Sequence, residues 1–337
     1  MFNEQTTRTP KVAIIGAGIA GLSCAIRLQN LGFEVRVYEK SSRSSGRMST
    51  RIGENWSADH GAQYFTARNP LFVEELHHWI KAGIVNIWNP RLQVFKANEW
   101  QDRISKEVRY VASPSMNTLG QYLAKNLPVT LNQTINRIDY QNQQWMLHSL
   151  ETGPIEQAFD WLVLALPAPQ TLTLTKSIDQ SIETLANQAN MRGCWTLMAR
   201  FTEGLNMPFD AAFINDEIIS WVCRNNSKPG RVGDESWTIH ANPQWSEQNI
   251  EANEKEVTQL IIQCAEKLGF DFRNSNITIH RWRYANGYIP STPEFYTQKD
   301  LRLGVCGDWL HGGRVEGAWL SAYKLANNIV TLNESLI

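Results

Sequence analysis

The sequence lacks any CxxC pair: its five cysteines, Cys24, Cys194, Cys223, Cys264 and Cys306, are scattered and odd in number. That excludes a disulfide framework and a cysteine-based zinc site, and it suits a reducing compartment. It also lacks a basic excess, with 32 Lys+Arg against 33 Asp+Glu and a net charge of −1. A dedicated nucleic-acid binder, which must neutralise a phosphate backbone, is therefore not expected. No stretch approaches the roughly 18 apolar residues of a membrane span. Residues 1–11 are polar, with Glu4, Arg8 and Pro10, and do not read as a signal peptide. The expectation is a cytoplasmic, soluble protein with no metal, no nucleic-acid partner and no membrane partner. There is no internal repeat and no low-complexity tract. What is present is globular, 42% hydrophobic and 19% charged over 337 residues. At about 150 residues per domain, that is chain for roughly two domains.

Residues 11–16 (KVAIIG) are a short β-branched run ending in glycine, the pattern of a buried parallel strand. Helical periodicity follows over 19–31 and stops at Gly32, and residues 33–39 (FEVRVYE) alternate as a second strand. This is a βαβ unit of about 30 residues. A Ser/Arg-rich loop occupies 41–51, and Asn69-Pro70 reads as N-cap and first residue of a helix carrying Phe72, Leu76, Trp79 and Ile80 on one face, ended by Gly83. Strands are expected at 128–138 and 161–166, the latter (WLVLAL) fully apolar, with Pro167 and Pro169 marking a crossing between domains. From about 170 to 298 the chain is Trp-rich and alternating, with strands at 195–201 and 237–240 and a helix on Val257, Ile261, Cys264 and Leu268 closed by Gly269. The C-terminal segment resumes the pattern of the N-terminal one, with a strand at 301–306, a Gly-rich loop, and a helix on Ala318, Ala322, Leu325 and Ile329. The fold class is α/β: a Rossmann-like domain (10–70, 113–168, 299–335) and a second, mixed-sheet α+β substrate domain (71–112, 169–298).

Gly16-Ala17-Gly18-Ile19-Ala20-Gly21 is a GxGxxG between a predicted strand and helix. Its first glycine permits the turn, its second lets a pyrophosphate approach the backbone, and its third lets helix pack on sheet. Glu39, about 20 residues on, ends the second strand where an acid accepts from a ribose, and Lys40 follows it. The fingerprint alone does not separate FAD from NAD. Gly46-Arg47-Met48 adds a guanidinium that can pair with a pyrophosphate. Near the C-terminus, Gly307-Asp308 offers a carboxylate for ribityl hydroxyls. Arg314-Val315-Glu316-Gly317-Ala318 opens a helix whose free N–H groups suit the edge of an isoalloxazine.

These segments, with GAQYFT (61–66), RNNSKPGR (224–231), WTIHANPQWS (237–246) and HRWRYA (280–285), resemble the flavin-containing amine oxidase superfamily and, within it, the bacterial renalases. The resemblance runs from Lys11 to Ala322. One departure is Ser45, where renalases often carry glycine. The resemblance implies a p-hydroxybenzoate hydroxylase-like two-domain fold with non-covalent FAD. It implies oxidation of 2- and 6-dihydro-NAD(P) isomers to NAD(P)⁺ and reduction of O2 to hydrogen peroxide, with amine oxidation the rival. It adds Gly61, Ala62 and Gln63 to the cofactor set, and Gln63, Tyr64, His240, Trp282 and Arg314 to the catalytic set. Trp282, with Arg281 and Arg283, could line a nicotinamide pocket or pack at a domain interface; His240 by itself reads equally as a core histidine. Arg314 holds the place where many amine oxidases carry a cage aromatic. His77 and His78, adjacent on a helix, read as solvated or packed.

Overall fold

The computed structural model describes residues 8–290 and 293–335. The chain divides into two compact units, 1–46 with 120–190 and 288–337, and 47–119 with 191–287.

The first unit is built on a six-stranded sheet. From Lys11–Ile15 the chain steps outward on one side to Glu34–Tyr38 and Val129–Thr130. On the other side it meets Trp161–Leu164 and Leu303–Val305, and all these neighbours are parallel; Tyr296–Gln298 closes the edge antiparallel. Val12, Ala13, Ile14 and all of Trp161–Leu164 are fully buried. Such strands need apolar residues on both faces, which is why they read as unbroken hydrophobic runs rather than alternating ones. The helices Ile19–Asn30 and Val315–Glu334 pack on each other.

The second unit holds a seven-stranded sheet in the order Ser275–Asn286, Arg192–Phe201, Glu235–Ala241, Ile219–Arg224, Ala211–Ile214, Leu92–Lys96, Glu99–Asp102. Side chains alternate across a strand, so register decides what shares a face. Leu197 pairs with Ile239 and Ile279, and Ala199 with Trp237 and Ile277. These residues, Trp195 and Phe201 pack with Val257, Ile261 and Ala265 of the helix Glu254–Lys267 into an apolar core. Thr196 pairs with both His240 and His280, and Trp221 with His240, so the opposite face is polar and aromatic. The hairpin Thr50–Ile52/Ser57–Asp59 attaches to that second face: Ser236 Oγ donates to the Ser57 carbonyl (2.6 Å) and Thr238 Oγ1 to that of Asp59 (2.9 Å).

Several expectations are corrected. Residues 47–70 and 113–119 fall in the second unit, and 169–190 and 288–298 in the first. Pro167 and Pro169 mark no crossing: Pro167 caps the helix Ala168–Thr175, which packs on the first unit's strand Ile135–Gln141. The strand foreseen at 128–138 is two, Val129–Thr130 and Ile135–Gln141, broken where Asn132 takes φ +53° and the Gln133 N–H turns to the Glu39 carbonyl (2.9 Å). Ile80 lies on the exposed side of its helix Pro70–Lys81, while Phe72, Leu76 and Trp79 are buried. No described helix is long and apolar enough to cross a membrane.

Candidate functional site

In the first unit the strand order reverses direction between Lys11–Ile15 and Trp161–Leu164, a topological switch point at whose carboxyl edge open α/β sheets bind ligands. The loop after Lys11–Ile15 lies there and is fixed by Glu39. One carboxylate oxygen accepts from Ala17 N–H (2.8 Å), the other from Ser41 N–H (2.9 Å), and the side chain is buried. Each oxygen keeps a further lone pair, which leaves the carboxylate able to accept from a ribose hydroxyl.

The two later glycines of the loop are glycines for different reasons. A Cβ on Gly21 would stand 1.9 Å from the Gly16 carbonyl oxygen, so the fold itself forbids one. A Cβ on Gly18 would meet nothing within 4 Å, and Gly18 has an ordinary φ of −79°. The protein alone leaves Gly18 free to be any residue; a phosphate resting on its backbone does not. Gly18 also caps the helix Ile19–Asn30 without a side-chain hydrogen bond, as Arg314 does for Val315–Glu334. Both helices thus present N–H groups that no capping side chain covers. Gly46 lies against Gly18, where its Cβ would stand 3.2 Å from the Gly18 Cα, and the preceding Ser45 N–H donates to the Ala17 carbonyl (2.9 Å). Ser45 itself takes φ +110°, a region that glycine occupies without strain and other residues rarely adopt. Asp308 is buried at the end of the strand Leu303–Val305. A Cβ on Gly317 would stand 1.8 Å from the His311 carbonyl, so that glycine admits the 311–314 loop onto the last helix. These acceptors, bare N–H groups and an open cradle at Gly18 fit an adenine dinucleotide such as FAD.

In the second unit the polar face of the sheet is organised by Asp59, 1% exposed. One oxygen accepts from Thr50 Oγ1 (2.7 Å) and Met116 N–H (3.0 Å), the other from Lys228 Nζ (3.0 Å) and Arg231 Nη2 (2.8 Å). Burial alone would raise its pKa, but the two cations and these hydrogen bonds outweigh it and hold the carboxylate well below its usual range. Gln63 is locked from both ends: its amide nitrogen donates to the carbonyls of Asp59 (2.6 Å) and Gly61 (3.1 Å), and its oxygen accepts from Lys228 (3.2 Å). His240 Nε2 lies 3.5 Å from the same amide and 3.3 Å from the His60 carbonyl, which also accepts from the Trp282 indole (2.9 Å). Trp282 stacks on His60 at 5.3 Å, and His280 meets both rings edge-on. Burial pushes His60 down to about 4, with His280 and Arg51 adding to it. Burial likewise pushes His240 down to about 4, with Lys228 adding and the His60 carbonyl opposing. The imidazoles are therefore neutral at pH 7. Among the described residues no group of three His, Cys, Asp or Glu is placed to hold a metal ion.

The expected residues thus fall into two sets. Gly16, Gly18, Ile19, Ala20, Gly21, Glu39, Lys40, Gly46, Gly307, Asp308, Arg314, Val315, Glu316, Gly317 and Ala318 belong to the first unit. Arg47, Met48, Gly61, Ala62, Gln63, Tyr64, His240 and Trp282 belong to the second. Within the second, Gln63, His240 and Trp282 converge around His60, whereas Tyr64 packs between Trp88 and Trp221. Arg47 donates to the Ala285 carbonyl (3.1 Å), and its own carbonyl meets the Ala62 N–H. Lys40 and Arg314 are exposed. Sequence reasoning missed Asp59, His60, Lys228, Arg231 and His280. The available signal was a Lys and an Arg bracketing Pro229-Gly230.

Together the switch-point loop, its acid and the parallel sheet define a Rossmann-type dinucleotide-binding domain. A family model described as an NAD(P)-binding Rossmann-like domain matches residues 14–76. An L-amino acid oxidase of Bothrops pictus is 30% identical over 165 residues, 44% of this chain and 31% of that protein. This chain matches less than a third of the length of the curated relatives it resembles. Among solved structures, a CLA-producing fatty acid isomerase from P. acnes superposes with a TM-score of 0.73 at 12% identity, covering 95% of this chain and 98% of that one. Cyclohexylamine oxidase from Brevibacterium oxydans superposes with a TM-score of 0.71, also at 12% identity, covering 97% and 100%. The fold is thus that of these enzymes.

Two outcomes follow for the loop glycines. Gly18→Val is expected to purify folded, with an unchanged far-ultraviolet spectrum and little bound dinucleotide. Gly21→Ala is expected to lose about 1–3 kcal/mol or more of stability in denaturant melts, whether or not dinucleotide is present. Full cofactor content in Gly18→Val would contradict the cradle. The histidines set a pH window. Unfolded imidazoles bind protons near 6.5, folded His60 and His240 only near 4, so the unfolded chain carries more protons in between. Stability is expected to fall as pH drops from about 6.5 towards 4 and to be unaffected by these groups above that range. Ring-proton NMR should give midpoints near 4 for both; midpoints near 6.5 would overturn the account.

Proposed function

We propose that the chain binds FAD non-covalently and oxidises dihydropyridine nucleotides, the 2- and 6-dihydronicotinamide isomers of NAD(P), to NAD(P)⁺, with O2 as final acceptor and hydrogen peroxide as product. The observation that supports this over amine oxidation is charge. On the polar face of the second unit Lys228 and Arg231 share the single carboxylate of Asp59, and His60 and His240 stay neutral, which leaves the cluster net positive. An ammonium substrate is disfavoured beside such a cluster and a phosphate-bearing one is favoured. Arg314 works in the same direction: a guanidinium about 5 Å from an ammonium costs roughly 3 kcal/mol at an effective dielectric near 20. That is about a hundredfold in capture.

FAD, when bound, supplies a two-electron acceptor that oxygen can re-oxidise. Loss of hydride from a dihydropyridine restores an aromatic ring, so no side chain has to remove a proton from carbon. Neutral, tightly held imidazoles are compatible with that chemistry. The chain's part is placement. Glu39 and the Gly16–Gly21 loop hold the dinucleotide, while Trp282, fixed by its indole bond and its stack on His60, offers a flat face to a planar ring. Gln63, bonded at both ends of its amide, cannot swing to follow a misplaced substrate. Amine oxidation is the second reading, favoured by the presence of an L-amino acid oxidase and a cyclohexylamine oxidase among the similar proteins.

Anaerobic stopped-flow mixing separates the two. The isomers are expected to bleach the flavin at least a hundredfold faster than primary or secondary amines, with Arg314→Ala slowing the isomers about tenfold. Efficient bleaching by an amine, with no response to either isomer, would overturn the proposal.

A further inference from the structure

Among the described residues of the second unit, the buried donors without a hydrogen-bond acceptor are the indole N–H groups of Trp79 and Trp221 and the Nε–H groups of Arg109 and Arg231, and two of these, Trp221 and Arg109, meet at one aromatic ring. Trp221, 6% exposed, has an unpartnered indole Nε1–H, and Arg109, 5% exposed, an unpartnered Nε–H. Both neighbour one ring. The Tyr64 centroid is 5.8 Å from that of Trp221, and the Arg109 guanidinium carbon lies 5.2 Å from the Tyr64 centroid. Arg109 directs its outer amino groups to the Glu107 carbonyl (3.2 Å) and Ser105 Oγ (3.3 Å). The nearest carboxylate, Glu107, stays 4.0 Å away and is itself held by Arg68 at 2.5 Å. The ring face of Tyr64 attracts the guanidinium charge, a weaker contact than an oxygen acceptor would give the Nε–H.

A buried N–H without an acceptor costs on the order of 1–3 kcal/mol, more when charged, so two beside one aromatic call for a physical reason. The register supplies one. Trp221 pairs with His240 across the sheet, and Tyr64 follows Gln63, so the pair borders the Gln63–His240 cluster. Lys228, over Trp88 at 5.6 Å, adds a second cation. We propose that Arg109 and Trp221, both against Tyr64, form a recognition subsite for an oxyanion, a carboxylate or phosphate carried on a planar ring system. The assignment rests on the oxidase reading above for its place in a reaction, and it names the substrate feature that reading leaves open: a negative charge read by a cation and a neutral donor together.

The test uses equilibrium binding, so it stands apart from turnover. FAD-loaded protein, in which the Gly16–Gly21 loop is closed to added phosphate, is titrated calorimetrically with benzoate, phenyl phosphate and uncharged benzyl alcohol. Both anions are expected to bind at least tenfold more tightly than the alcohol. Trp221→Phe, which keeps the ring and removes only the N–H, and Arg109→Gln are each expected to weaken the anions about tenfold and leave the alcohol unchanged. The tighter of the two anions identifies phosphate or carboxylate as the group read. Anions binding no better than benzyl alcohol, equal weakening of all three probes, or anion binding unchanged in Trp221→Phe would each overturn the subsite. Should Arg109→Gln fail to fold, Trp221→Phe decides alone. Failure of both dihydronicotinamide isomers to bleach the flavin would instead defeat the oxidase reading while leaving these affinities to be read.

Discussion

A carboxylate with 1% of its surface exposed has to be matched on both oxygens, and Asp59 is matched by Thr50 of its own hairpin and by groups from two distant stretches of chain. Desolvating such an ion costs several kcal/mol, and removing one partner leaves a buried charge uncompensated, so the arrangement is effectively all or nothing. The consequence spreads along the backbone. The Asp59 N–H donates to Asn225 Oδ1 (3.0 Å) and its carbonyl accepts from both Thr238 and Gln63. One residue therefore fixes the hairpin, the start of the 61–66 segment, and the Lys228–Arg231 turn against the same sheet face.

The first unit was readable because its determinants are local. A strand, a glycine turn, a helix and an acid all fall within about 30 residues, and each glycine has a reason that sequence spacing exposes. Its edges were not readable, since they depend on tertiary contact: two prolines looked like a boundary but begin a helix, and a polar loop at 131–134 splits what composition joins into one strand. In the second unit, alternation in residues 195–201 announced a strand and the spacing of Val257 and Ile261 a covering helix. Which face would be chemical was hidden, because it follows from register with strands distant in sequence, as in the Leu197–Ile279 and Thr196–His280 pairs. Gln63, His240 and Trp282 entered through family resemblance. Their common partner His60, and the ions behind them, have no local signature.

The two units divide the chemistry by physical character. The first is a backbone device of bare N–H groups, glycines and one fixed acid, suited to a ligand rich in phosphate and hydroxyl oxygens. The second is a side-chain device, in which neutral imidazoles and indoles lie over a buried, net-positive ion cluster. The functional reading proposed above rests on that difference in character rather than on any single residue.

The most direct measurement is the identity of the molecule the purified protein carries. Heat or acid denaturation followed by mass spectrometry of the supernatant should release about one FAD per chain, with no flavin left on the precipitate. Release of FMN or a nicotinamide dinucleotide instead, flavin retained covalently on the polypeptide, or a colourless protein that takes up no added FAD would contradict the account.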